Sequence, residues 1–168
     1  MCENIKDKDG KETKAPCLLF AVVAGEARGA SKGFQAGITN VIKNRATLVG
    51  GDYEAVINQP GQFSAMNSGD PNRAVVDHVL ATGEISAGLR DIVEGVYNGS
   101  IGDDTKGALL YYSPRSMNPA YSAPGWDFTQ LRLTAFSSAR DARLGITVIG
   151  GEGLFFRCAR GTGCWQRP

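Results

Sequence analysis

Helix-spaced apolar stripes occupy the first part of this 168-residue chain, and short β-like runs broken by Gly, Pro, Ser and Asn occupy the rest. That order of periodicities constrains the fold more than any other feature. The strongest stripe is Phe34, Ile38, Val41, Ile42 and Val49, which predicts a helix over 32–48 behind a capping Ser31. Before it, residues 16–28 read as a short, nearly buried helix with Leu18, Leu19, Val22, Val23 and Ala27 on a broad apolar face and Gly29 ending it. Gly50 and Gly51 break the pattern, a helical turn over 53–57 follows, and 58–71 is rich in turn residues. Two more helices are expected at 72–82 and 84–97, the first burying Val75, Val76, Val79 and Leu80, the second Ile85, Leu89, Ile92, Val93 and Val96. From Ala108 the strands are expected at 108–112, 130–136, 145–149 and 153–157. In the second of these, Leu131, Leu133 and Ala135 alternate with Arg132, Thr134 and Phe136, which leaves Phe136 on the polar face. Helices first and a small sheet afterwards make the class α+β.

The length suits one domain. Residues 1–14 carry four Lys and four acids with almost no apolar content, so 1–15 reads as a flexible, solvated tail ahead of a single domain at 16–168. Eighteen Lys and Arg against seventeen Asp and Glu leave a formal charge of +1, which supplies no field to gather nucleic acid. The apolar run 17–24 is far short of a membrane span, and what precedes it is not the positive region of a classical signal peptide. With one His and no CxxC pair, neither a metal site nor a cofactor is expected. Cys2, Cys17, Cys158 and Cys164 sit near the two ends. Pairing of Cys158 with Cys164 would suit an oxidising space, four free thiols would suit the cytosol, and connectivity is not readable from spacing. Twenty-two glycines without a repeat period indicate many turns and an open surface.

Glu26 is the residue placed best for chemistry. It falls at the end of an otherwise apolar helix, at the boundary between core and solvent, where a carboxyl group loses hydration and its neutral, proton-donating form is favoured. The structural alternative is a pair with Arg28 or another surface cation. His78 lies on the polar side of its helix with nothing to mark a triad, and no GxSxG surrounds Ser64.

GEARG at 25–29, ITNVIKNR on the second helix, PGQFSA at 60–65 and ALLYYSP at 108–114 resemble, in order and spacing, cell-wall hydrolases of the spore cortex-lytic (SleB-like) type. The resemblance implies a lysozyme-like domain that cuts the β-1,4 bond between N-acetylmuramic acid and N-acetylglucosamine in peptidoglycan glycan strands, with Glu26 as the acid. It also implies a lytic transglycosylase outcome, since the muramyl 6-hydroxyl can supply the nucleophile. Hydrolysis would call on a second carboxylate, for which Asp52, Asp70 and Asp127 are candidates by loop position. By the same resemblance 60–65 is a turn entering a strand along the cleft, where Gln62 and Ser64 would share a face and hold sugar groups. Of Tyr111 and Tyr112, on opposite faces of a strand, Tyr112 is the favoured cleft hydroxyl. Trp126 is either a platform for a sugar ring or a plug over the core. Asn44 and Arg45 match the family's NR pair and are expected to be structural, Arg45 holding carbonyls at its helix end. The chain departs from the family at Ala30, Ser31 and Lys32, where an acid is common, and at Glu152 and Gly153, where a His is usual.

A substrate in the periplasm or cell wall, without a classical signal peptide, implies delivery by phage lysis or a secretion apparatus, and an immunity protein in a producing cell. The competing classes are a non-catalytic wall-binding module and a structural subunit of a phage or secretion apparatus.

Overall fold

The computed structural model describes residues 5–136, 139–141, 146–148 and 153–168. Helix α1 (Cys17–Ala27) is buried on nearly every side, from Leu19 through Gly25, as an all-apolar helix must be. Around it stand α2 (Lys32–Leu48), α3 (Tyr53–Asn58), α4 (Arg73–Thr82) and α5 (Ala87–Asn98). Ser31 caps α2, its Oγ accepting from the Phe34 amide, and Asp52 caps α3 in the same way. The last helix starts at Ala87 rather than the expected 84 because Ser86 takes the N-cap, accepting from the Leu89 amide. Gly29 does not end α1 through a left-handed turn: Arg28 caps it in helical geometry, and Gly29 is not among the residues with positive φ.

The second half forms the expected small sheet, and its strands pair antiparallel. Strands β1 (Leu110–Tyr112), β2 (Leu131–Phe136) and β5 (Leu154–Cys158) form a sheet in the order β1-β5-β2. Strands β3 (Ala139–Asp141) and β4 (Ile146–Val148) pair separately, and β3 has no counterpart in the sequence reading. The alternation expected in β2 fails at a bulge: the register against β5 shifts between Leu133 and Ala135, so Leu133 is exposed while Ala135 is buried. Thr134 marks the irregularity, its hydroxyl donating to the carbonyl of Thr105 at 2.6 Å. Glu152 lies outside the described residues.

Glycines set how closely the two halves approach. A Cβ on Gly37 of α2 would run into the Phe155 ring, and one on Gly153 into the Phe34 ring, so β5 lies directly on α2. A second apolar cluster, Leu110, Tyr112, Leu154 and Phe156, lines the other face of the sheet.

At the start of the chain residues 6–14 are exposed or half-buried, as a solvated segment should be, but the segment is docked at Ile5. Ile5 is 4% exposed and belongs to the main core. The backbones of Lys6 and Glu12 pair in an isolated antiparallel β-bridge, and the Asp7 carboxylate accepts the amides of Asp9 and Lys11, closing a small turn. Cys158 and Cys164 form a disulfide, Cys17 is also disulfide-bonded, and no described cysteine is free. Among the described helices none is long and apolar enough to cross a membrane.

Candidate active site

Glu26 occupies the last turn of α1 and is half-buried. Its position follows from Gly25: a Cβ there would stand 2.7 Å from both Ala65 Cβ and Val76 Cγ2, so α4 and the 3₁₀ turn Ser64–Met66 close directly onto α1 beside the carboxylate. That contact delivers two donors to Oε1, the Ala65 amide at 2.8 Å and the Ser64 hydroxyl at 3.3 Å. From the sheet side the Tyr111 hydroxyl donates to Oε2 at 3.0 Å.

Tyr111 holds this place because its ring is wedged among aromatics, edge-on to Phe34 at 6.0 Å and tilted against Phe155 at 6.1 Å. Burial, then the adjacent Glu26 charge and hydrogen bond, push its hydroxyl well above the ordinary phenol range, while Arg45 acts in the opposite sense. Tyr111 therefore stays a neutral donor across physiological pH.

The carboxylate stands where two surface depressions meet. The wider, about 610 Å³, is lined by Gln62, Ser64, Asp70, Tyr111, Tyr112 and Trp126 among others; the narrower, about 380 Å³, is lined by Arg28, Gly29 and Ala30. Glu26, Phe34, Asn72, Ser113 and Ser116 border both.

The predicted site residues thus separate. Ser64 and Tyr111 touch Glu26, and Gln62 lines the wider groove. The segment from Ser64 is a 3₁₀ turn, not a strand, with Phe63 before it extended and buried in the core, while Gln62 and Ser64 both line the groove. Both tyrosines border the groove: Tyr112 is stacked on Phe156 at 5.9 Å in the second apolar cluster, and it is the Tyr111 hydroxyl that reaches the acid. Trp126 combines its two readings, packing edge-on to Tyr112 and Phe156 while lining the groove.

Asn44 and Arg45 work on the strand connection rather than on their own helix end. Asn44 donates to the carbonyl of Ala108 at 3.0 Å and Arg45 Nε to that of Leu109 at 2.7 Å. Arg45 is 3% exposed between the rings of Phe63 and Trp165, and burial lowers its guanidinium to about 10, Tyr111 opposing. Of the loop acids, Asp52 caps α3 and Asp127 accepts the Thr129 amide, whereas Asp70 lines the groove with its Oδ1 accepting from the Asn72 amide at 2.8 Å. His78 pairs with Glu84 at 2.9 Å on the surface. Among the described residues no cluster of His, Cys, Asp and Glu is arranged to hold a metal ion.

Two participants escape residue-type reasoning. The Ala65 amide is a backbone group, and Asn72, which accepts from Arg28 at 2.9 Å, carries no motif.

No curated protein and no solved structure matches the chain at a significant level. Residues 29–137 do match a family model, described as Cell Wall Hydrolase. The matched stretch begins just after Glu26 and carries the groove wall built by Ser64, Tyr111 and Trp126. Because it spans well over half of the sequence, the chain belongs to the Cell Wall Hydrolase family, a class of enzyme whose substrate is the peptidoglycan of the cell wall.

Proposed function

We propose that the protein is a peptidoglycan glycosidase that cleaves the β-1,4 bond between N-acetylmuramic acid and N-acetylglucosamine, with Glu26 as acid and then base. The observation that carries this reading is the half-buried carboxylate held by Ala65, Ser64 and Tyr111 where two depressions meet. The Ala65 amide can only donate, so Oε1 is held as an acceptor and the transferable proton belongs on Oε2. The Tyr111 hydroxyl can donate or accept, so it serves Oε2 in both protonation states. Glu26 gives its proton to the glycosidic oxygen as the C1–O bond breaks through an oxocarbenium-like state. The resulting carboxylate then takes the proton of the muramyl 6-hydroxyl as that oxygen closes on C1, leaving a 1,6-anhydro end. This lytic transglycosylase course needs one carboxyl group.

One observation favours a second outcome. Asp70 lines the same groove and could activate a water, making the enzyme a hydrolytic muramidase. Digestion of purified sacculi followed by mass spectrometry separates the two, the anhydro product being lighter than the hydrolysed one by one water. Release of muropeptides that is lost in Glu26→Gln supports the acid role. Undiminished release by that variant would remove it.

A further inference from the structure

We propose that the narrower depression is a carboxylate subsite in which Arg28 recognises the anionic arm carried by the muramyl residue. The inference rests on the reading that Glu26 cuts between the two sugars, and concerns which sugar lies on which side.

The two depressions share a border at Glu26 but differ in charge. The wider holds Asp70 together with the aromatic rings of Tyr112 and Trp126, and the narrower holds Arg28. Arg28 caps α1 and is exposed. Its Nη1 donates to the Asn72 Oδ1 at 2.9 Å, which ties the side chain to a neutral amide that borders both depressions. Among the described residues the ion pairs are Arg73 with Asp77, His78 with Glu84, and Arg90 with Asp91, so no described carboxylate neutralises the Arg28 charge. A guanidinium has five N–H donors in a planar fork that matches a carboxylate, and Asn72 engages one end of it.

The two sugars differ in the same way as the two depressions. N-acetylglucosamine is neutral, whereas the 3-O-lactyl arm of N-acetylmuramic acid ends in a carboxylate or in a peptide stem that bears carboxylates. Asp70 repels such an arm from the wider side, and a neutral sugar ring can place its C–H face on Trp126 there. Arg28 attracts the arm to the narrower side. The strand then lies in one direction, with the muramyl C1 next to Glu26 and the N-acetylglucosamine leaving on the Asp70 side.

Binding measured on the cleavage-dead background separates this from the chemistry. Glu26→Gln, alone and combined with Arg28→Gln or Arg28→Lys, is titrated with three ligands. These are chitotetraose, which has no carboxylate; amidase-stripped glycan fragments, which carry only the lactyl carboxylate; and fragments with intact stems. Arg28→Gln should weaken binding of one or both carboxylate-bearing ligands about tenfold, leave chitotetraose unchanged, and be partly rescued by Arg28→Lys. The ligand that shows the loss names the carboxylate. Equal weakening for all three ligands, or none for any, overturns the subsite. Selective binding by a protein that releases nothing from sacculi would instead overturn the glycosidase reading while keeping the subsite.

Discussion

Two charged side chains cross from the helices to the same short stretch of chain leading into β1, and they end in opposite circumstances. Glu26 of α1 meets the Tyr111 hydroxyl at the edge of an open groove. Arg45 of α2 meets the Leu109 carbonyl, but is closed between Phe63 and Trp165, with ring centroids 5.4 and 5.2 Å from its guanidinium. Glu26 offsets its partial burial with three hydrogen bonds, and Arg45 with a hydrogen bond and two ring contacts. Only the first leaves room for a substrate. Arg45 anchors the strand, and the anchored strand presents Tyr111 to Glu26.

The contrast breaks most visibly at Glu26. Removing its proton chemistry with Glu26→Gln should lower muropeptide release by a hundredfold or more, while the melting curve stays close to that of the parent protein. Arg45→Ala should do the reverse. It removes a buried, hydrogen-bonded side chain and leaves a cavity between two rings, which should cost about 3 kcal/mol in urea unfolding. Activity per folded molecule should fall less than in Glu26→Gln. A larger activity loss than in Glu26→Gln would mean that the sealed site takes part in catalysis.

Gly25→Ala tests the junction between the two. Its Cβ meets Ala65 and Val76 at 2.7 Å, so overpacking should cost about 1–3 kcal/mol and should also displace the Ala65 amide from Glu26. Stability and activity are then expected to fall together, which neither charged site alone produces.

The smallest effect belongs to Tyr111→Phe, which keeps the ring among Phe34 and Phe155 and deletes one donor to Glu26. A tenfold loss of activity, the order of one charge-assisted hydrogen bond, is expected with little change in stability at neutral pH. Its pH dependence has a definite sign. The folded protein holds the Tyr111 proton above the ordinary phenol value, so the stabilisation is complete below about pH 10 and declines as pH rises beyond it. The parent protein should therefore lose stability relative to Tyr111→Phe in alkaline unfolding titrations.

The helices were legible from local signals, as α2 was from its apolar stripe and its Ser31 cap. Elements decided by partners were not. The bulge at Leu133 and Ala135 depends on β5, and β3 depends on β4. The docking of Ile5 depends on a cavity assembled by distant residues. Ser64 was found through its motif, yet the geometry that makes it useful is a 3₁₀ turn pressed against Gly25.

By itself the sequence determined that a carboxyl group ends an apolar helix, that helices precede a run of short strands, and that two tyrosines stand on opposite faces of a strand. Those are local properties, set by backbone periodicity and capping. Only the tertiary structure decided which tyrosine meets the acid. Alternation defines two faces but carries no sign. The sign came from the register of Tyr111 against Phe155 and from the Gly37 and Gly153 contacts that press that face onto α2.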